Sequence, residues 1–144
     1  MATIKLEIVS PDKVVYENDI TMLIVRSTGG ELGILPHHAP LVAGLVAHAM
    51  RIRLDADRDE QLIAVAVGFM EVTPEKIRVL ATAAEQPIDI DINRAKEAMA
   101  RAKARIAAFH QGTPEGKDVD IDRAEFALHR SIARLRASGS EFEE

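Results

Sequence analysis

Hydrophobic and polar positions alternate with a two-residue period through the first half of the chain. In residues 4–8, isoleucine and leucine alternate with lysine and glutamate, which predicts a strand with one face in water. Residues 20–25 form an apolar run, which predicts a strand covered on both faces. Further strands are predicted at residues 50–54, 62–67, 69–72 and 76–80, with an acidic turn at 55–59. Short strands separated by frequent turns predict a β-sandwich or flattened antiparallel barrel over residues 1–87.

Beyond residue 87 the period becomes that of a helix. Apolar positions three and four residues apart lie at Ile92, Ala95, Met99, Ala102, Ile106 and Phe109. After a break at Gly112, Pro114 and Gly116, the same spacing returns at Ile121, Ala124, Leu128, Ser131 and Leu135. The pattern predicts an antiparallel αα-hairpin over residues 88–137, followed by an acidic tail at 138–144. The predicted fold class is therefore α+β, with a β-sandwich followed by a helical hairpin.

The two predicted helices carry the same order of charged residues. Asp91, Arg94, Arg101 and Arg105 of the first correspond to Asp120, Arg123, Arg130 and Arg134 of the second. The aspartates lie near helix N-termini, where caps and the helix dipole favour them. In an antiparallel pair the matching flanks share one side, so Asp91 is expected to meet Arg134, and Asp120 to meet Arg105. Each such surface pair contributes only about 0–1 kcal/mol.

The arginines of this flank outnumber the acids that can pair with them. Six arginines share the side, whereas the two repeats supply only Asp91 and Asp120. One interpretation is a solvated helical face with no further role. The other is an anionic partner, either a nucleotide phosphate or an acidic protein surface. The residue pattern alone leaves both open.

The composition argues against several classes of function. The 144-residue chain has no cysteine, which removes disulfides, thiolate metal ligands and cysteine nucleophiles. A net charge of −5 argues against non-specific nucleic-acid binding. No apolar run approaches the roughly 18–20 residues of a membrane span, and the N-terminus lacks a signal-peptide pattern. We expect a soluble protein that reaches a membrane only through a partner.

The most distinctive segment is residues 31–41, ELGILPHHAPL, which predicts a tight apolar corner between two strands. It has no nucleophile or phosphate loop, so it is interpreted as a contact surface that presents Glu31 and the two histidines. Neighbouring His37 and His38 tend to point opposite ways on an extended segment, and no metal site is expected. His48, His110 and His129 are predicted to be surface or seam-edge residues. No catalytic constellation is found, and an independent enzyme is the least favoured class.

Four segments resemble the epsilon-subunit family of F-type ATP synthases, in the family's order. Residues 31–41 are similar to its N-terminal signature, and residues 10–17, SPDKVVYE, to its first turn and second strand. Residues 67–72, VGFMEV, resemble a later strand pair, and residues 120–125, DIDRAE, resemble the start of its final helix. His37 departs from the family, which usually has glycine at this position.

The resemblance implies a non-catalytic rotor subunit of the central stalk. Its expected partners are the gamma subunit, the ring of c subunits and the alpha and beta subunits, at the cytoplasmic face of the membrane. Glu31 and His38 would lie at the c-ring contact. The resemblance further implies a mobile hairpin, permissive when docked on the sandwich and inhibitory to ATP hydrolysis when extended along gamma. Acidic residues of beta would then face Arg123, Arg130, Arg134 and Arg136.

Some family members bind ATP in the docked hairpin, through a motif that residues 90–95, IDINRA, match in full. The resemblance assigns the site to Glu85, Asp91, Arg94, Arg101, Arg130 and Arg134. It implies no required cofactor and ATP as a regulatory ligand. The alternatives are a nucleotide-sensing module or a free-standing sandwich-plus-hairpin adaptor in another complex.

Overall fold

The computed structural model describes residues 2–55 and 60–144, so most of the predicted acidic turn lies outside the described residues. The described strands are β1 (Ile4–Val9), β2 (Val14–Ile20), β3 (Met22–Ser27), β4 (Gly30–Ile34), β5 (Leu41–Leu45), β6 (His48–Arg53), β7 (Glu60–Val65), β8 (Gly68–Val72), β9 (Lys76–Ala81) and β10 (Ala84–Glu85). They are followed by a 3₁₀ turn (Pro87–Asp89), α1 (Ile92–Gln111), a second 3₁₀ turn (Pro114–Asp118) and α2 (Ile121–Ser138).

The strands form one sheet that folds over on itself around an apolar core. The strand order is β10-β7-β6-β3-β5-β8-β9-β1-β2, with β4 paired to β3. β1 and β9 pair in parallel, whereas the other described pairs are antiparallel. Inward-facing residues such as Leu6, Ile8, Leu23 and Met50 are completely buried. The predicted β-sandwich is confirmed.

The apolar run at 20–25 is not one strand, so that prediction was wrong in its boundaries. Thr21 lies between β2 and β3, and the chain bends there. Its backbone N–H and its hydroxyl both donate to the carbonyl of Arg53, at 2.8 and 3.0 Å. These bonds turn the chain from one strand into the next. Within β3, Leu23 and Ile24 are both buried although they face opposite sides, so this strand is covered on both faces.

Gly68 begins β8, although the sequence predicted it to separate two strands. The strand passes so close to β9 that a Cβ atom at this position would lie 2.2 Å from the carbonyl oxygen of Leu80. The residue is needed because of this close approach of two backbones.

The helical hairpin forms as predicted, with the same cap at the start of each helix. The side chains of Asp91 and Asp120 accept hydrogen bonds from the backbone N–H groups of Arg94 and Arg123. Gly112 and Gly139 end the two helices in the left-handed conformation. The predicted seams meet in a cluster of Ala95, Met99 and Leu135, with Leu128, Ile132 and Phe142 packed against it.

A second face of α2 packs on the sandwich, which the seam spacing did not predict. Ala137 forms a small cluster with Ala64 of β7 and Ile90, and Ala49 and Leu62 pack against it. Alanine contributes little to a hydrophobic periodicity, so this face gave no clear signal in the sequence. The hairpin is therefore held against β6 and β7 by a contact of mostly small side chains.

Candidate functional site

A cleft of about 230 Å³ lies where the end of the sandwich meets both helices. Its lining brings together four of the six residues of the predicted ATP site. The lining residues are Glu85, Asp89, Asp91, Arg94, Ala95 and Arg134.

The cleft is built on the short segment that follows β9. Glu85 ends β10, which pairs with β7 in the register Glu85 with Ala64. The side-chain amide of Gln86 donates to the carbonyl oxygen of Val15 at 2.9 Å, which anchors the segment to the sandwich. Pro87 begins the 3₁₀ turn, where its fixed backbone angle suits a helical start. This geometry brings the Glu85 carboxylate and the N-terminus of α1 to one cleft.

Arg134 does not pair with Asp91, and that prediction was wrong. The Nε of Arg134 donates to the Glu85 carboxylate at 2.5 Å, in a pair whose side chains are 37% and 29% exposed. Asp91 instead accepts a hydrogen bond from the Arg94 backbone N–H at 3.0 Å, because it caps α1. Arg134 and Asp91 still line the same cleft, so the predicted convergence of the two helices at this end is correct.

The second predicted pairing, between Asp120 and Arg105, is also wrong. Asp120 accepts from the backbone N–H of Arg123 at 3.1 Å and serves as the cap of α2. Arg105 is exposed, and no ion pair among the described residues joins it to Asp120. The N–H groups of the first helical turn have no partner within the helix, and a capping side chain supplies one. An exposed ion pair with Arg105 would leave that N–H group without a partner.

The two remaining residues of the predicted ATP site lie outside this cleft. Arg130 lines a narrow gap of about 10 Å³ beside Glu85 and Arg134, so it adjoins the cleft. It also faces a wider cleft of about 530 Å³, which it shares with Arg123 and Phe126. Arg101 is exposed on α1. The docked hairpin therefore gathers most, but not all, of the predicted set.

The cleft is mixed in charge, with three carboxylates and two guanidinium groups. One guanidinium is already engaged, because Arg134 pairs with Glu85. Arg94 is exposed, and its guanidinium can donate hydrogen bonds to a phosphate. Carboxylates such as Asp89 can accept hydrogen bonds from sugar hydroxyls. Asp89 was not among the residues predicted for the site, although its place just before the 90–95 motif was a usable signal.

The residues predicted for the c-ring contact lie on β4 and on the loop after it. Glu31 is exposed, opposite Arg26 in the β3–β4 register. His38 is half-buried, and its Nδ1 lies 2.7 Å from the carbonyl oxygen of Ala39. His37 adopts a left-handed backbone with φ 67°, a conformation that favours glycine.

His48 is buried, so its prediction as a surface or seam-edge residue was wrong. It is 7% exposed, and its Nδ1 donates to the Val46 carbonyl oxygen at 2.7 Å. Its Nε2 accepts the backbone N–H of Arg26 at 3.1 Å, which fixes the neutral ring. Burial lowers the pKa of His48 below its ordinary value. The signal was present, because His48 extends the inward-facing alternation of Met50 and Ile52.

A group of charges crosses the β6–β7 pair beside this histidine. Glu60 accepts two hydrogen bonds from Arg51, at 2.6 and 2.7 Å, and two from Arg53, at 3.1 and 3.4 Å. The bonds from Arg51, with the help of Arg53, lower the pKa of Glu60 to about 2. Arg51 and Glu60 also line a cleft of about 410 Å³ that extends to Glu31, His48 and Arg136.

Residues 2–55 and 60–144 contain neither a cluster of metal ligands nor a helix that could span a membrane. No group of three or more potential metal ligands occurs there. None of the helices in this part of the chain combines the length and hydrophobicity needed to cross a membrane.

Comparison with known proteins explains the two-part architecture. Residues 3–87 match the family described as ATP synthase, Delta/Epsilon chain, beta-sandwich domain, and residues 89–139 match its long alpha-helix domain. The chain belongs to the ATP synthase delta/epsilon family. The ATP synthase epsilon chain of Alkalihalophilus pseudofirmus is 45% identical over 81% of this chain and 86% of its own length. The ATP synthase epsilon chain of Halalkalibacterium halodurans is 47% identical over 74% of this chain and 78% of its own length.

Solved structures of ATP synthases share the fold of this delta/epsilon chain. A chain of the Euglena gracilis mitochondrial ATP synthase, solved with its c-ring, matches with a TM-score of 0.75 and 19% identity. The match covers 95% of this chain and 81% of that one. A chain of the Tetrahymena thermophila central stalk and c-ring matches with a TM-score of 0.52 and 12% identity, over 78% and 97%.

Membership of the family, with relatives named epsilon chain, confirms the resemblance seen in the sequence. The protein is an epsilon-type subunit of the central stalk of F-type ATP synthase, and it serves ATP synthesis by the rotary complex.

Proposed function

We propose that this subunit is a non-catalytic regulator that links gamma to the c ring and restrains ATP hydrolysis through its helical hairpin. The observation that carries the proposal is the small, alanine-rich contact between α2 and the sandwich. Such a contact holds the hairpin without fixing it as firmly as a large apolar interface would. The subunit then works at the cytoplasmic face of the membrane, which it reaches only through the c ring.

An exposed apolar patch on the outer face of β5, β8 and β9 supports a stable contact with gamma. Val42, Phe69 and Leu80 are 72%, 63% and 50% exposed. Phe69 lies opposite Leu80 in the β8–β9 register and opposite Gly44, two residues from Val42, in the β5–β8 register. An apolar surface of this kind is typical of an interaction site. We assign it to gamma.

The loop between β4 and β5 supports a contact with the c ring. Leu35 in this loop is 54% exposed, between Glu31 and the half-buried His38. An exposed apolar residue flanked by polar side chains is a common arrangement at the centre and rim of an interface. Glu31 and His38 are therefore kept as the proposed c-ring contacts.

In the proposed extended state, the arginines of α2 contact acidic residues of beta. Arg123 and Arg130 face a cleft beside the sandwich, Arg134 pairs with Glu85, and Arg136 pairs with Glu144. Release of the hairpin from the sandwich would free Arg134 from Glu85 and would expose Arg123 and Arg130 to other carboxylates. Removal of the hairpin tests the regulatory role directly.

A chain cut after Pro87, assembled into the enzyme, is expected to raise ATP hydrolysis relative to the full chain. The assay is steady-state hydrolysis by purified enzyme with matched subunit content. Equal rates for the two assemblies would refute the restraint of hydrolysis by the hairpin.

A second proposed role is binding of ATP as a regulatory ligand, favoured by the cleft of Glu85, Asp91, Arg94 and Arg134. Phosphates would bind Arg94 and would compete with Glu85 for Arg134, with Arg130 and Arg101 approaching after side-chain movement. Isothermal calorimetry with ATP should give heats that fall strongly in Arg94→Ala and Arg134→Ala. Lys96→Ala, an exposed change on α1 outside the cleft, is the control. Heats that are the same in all four proteins would refute the site.

A further inference from the structure

The residues after α2 fold back onto the hairpin. Gly139 ends the helix with φ 75°, and this left-handed turn reverses the chain. Phe142 then packs against the cluster of Ala95, Met99 and Leu135 between the two helices. The residues 139–144 are called the tail below.

Polar contacts tie the tail to both helices. The Lys103 ammonium of α1 donates to the carbonyl oxygen of Glu143 at 2.5 Å. The Arg136 guanidinium of α2 pairs with the carboxylate of Glu144. The tail therefore spans the groove, with one aromatic side chain in the apolar seam and an acidic end on the cations beside it.

We propose that the tail is a clasp that holds the hairpin closed and occupies Arg136 in place of an acidic partner. The clasp itself is inferred from the contacts of Phe142, Glu143 and Glu144 with the two helices. Its competition with beta rests on the proposed function, in which Arg136 contacts acidic residues of that subunit. The tail presents the same chemistry as that partner, a carboxylate, and it does so from within the chain.

The polar contacts of the clasp are weak enough for the tail to be released. The side chains of Arg136 and Glu144 are 46% and 49% exposed, so water and salt weaken their attraction. The hydroxyl oxygen of Ser140 is buried, and no hydrogen-bond partner for it occurs among the described residues. A buried hydroxyl without a partner opposes the closed state. Phe142 therefore supplies the main attraction, and its removal should release the tail.

The clasp is tested first on the full-length isolated chain by hydrogen exchange of α1 and α2. Phe142→Ala should speed the exchange of amides around Met99, Lys103 and Arg136 by about tenfold, the factor expected from a modest loss of apolar burial. Glu141→Ala is the matched control, because Glu141 is exposed in the same tail. Exchange in Phe142→Ala that equals the control would overturn the clasp.

Competition is tested in the assembled enzyme with a chain cut after Ser138. This enzyme should hydrolyse ATP about two- to tenfold more slowly than the enzyme with the full chain, because Arg136 is free to reach its partner. The enzyme with the chain cut after Pro87 shows whether the hairpin restrains hydrolysis at all. If that cut raises hydrolysis but the cut after Ser138 does not slow it, the competition is overturned. If the cut after Pro87 has no effect, the proposed function fails together with the competition, while the exchange result still decides the clasp.

Discussion

Ala137 is the position where a single substitution should separate the hairpin from the sandwich. It is 4% exposed on α2 and packs with Ala64 of β7, which is 5% exposed, and with Ile90. Ala137→Glu places a carboxylate in this apolar cluster, where no cation among the cluster members can pair with it. An ionised group buried without a partner costs several kcal/mol, unless the structure opens to return it to water.

The docking contact is small enough for such opening. It consists of a few methyl-sized groups and parts of Leu62 and Ile90, which contribute roughly 2–4 kcal/mol at about 25 cal/mol per Å² of buried apolar area. The Arg134–Glu85 pair adds about 0–1 kcal/mol, because both side chains are partly exposed. The cost of the buried carboxylate matches or exceeds this sum. We therefore expect α2 to leave the sheet while the sandwich stays folded.

Hydrogen exchange followed by mass spectrometry measures this outcome. In Ala137→Glu, peptides from α2 and β10 should exchange at least tenfold faster than in the native chain, whereas the core strands β1, β8 and β9 should be unchanged. Ala104→Glu makes the same change at an exposed position of α1 and should leave all peptides unaffected. If α2 exchanges equally in both variants, the docking contact is not the one that holds the hairpin.

Three further predictions concern the sandwich and use chemical denaturation. Burial lowers the pKa of His48, so the contribution of the neutral His48 ring to folding stability should be complete above about pH 6.5 and should decrease below that pH. His48→Gln should flatten this dependence of stability on pH, and a parallel dependence in the variant would contradict the reasoning. The pKa of Glu60 is lowered from 4.5 to about 2, so the contribution of Glu60 to folding stability should be present above pH 4.5 and be lost as the pH falls towards 2. Glu60→Gln should remove this loss, and an unchanged pH profile in that variant would count against the arginine contacts. Gly68→Ala should lower the free energy of unfolding by about 2–3 kcal/mol, because its Cβ would meet the Leu80 carbonyl oxygen. Gly29→Ala should lower it by less than about 1 kcal/mol, because a Cβ there would lie 3.9 Å from its nearest neighbour, the hydroxyl oxygen of Ser27. Equal losses in the two variants would refute the close approach of β8 and β9.

The architecture was predictable because each half has a strong periodic signal. Alternation in residues 4–8 places Leu6 on the core face without any knowledge of its partner strand, and three- and four-residue spacing does the same for Met99 and Leu135. The repeated helix start also predicted the two caps, Asp91 and Asp120, since a side chain three residues before its N–H partner needs only local geometry.

The contacts of the candidate site were less predictable because they join parts of the chain that are far apart. Arg134 pairs with Glu85 through the docking of α2 on β7, and that docking depends on alanines with little hydrophobic signal. The predicted partner, Asp91, was chosen from the hairpin alone and is used as a cap instead. His48 shows another cause, since a polar residue at an inward-facing position was interpreted by its type and not by its place in the alternation.

The central claim is that the hairpin permits ATP hydrolysis while it is docked on the sandwich and restrains hydrolysis when it leaves. The chain has no cysteine, so Ala64→Cys and Ala137→Cys would place a single pair of thiols at the docking contact. ATP hydrolysis by the assembled enzyme should be compared with this pair oxidised and then reduced. We predict fast hydrolysis while the crosslink holds the hairpin on the sandwich, and slower hydrolysis after reduction. Equal rates in the two states, or slower hydrolysis with the hairpin locked, would contradict the account.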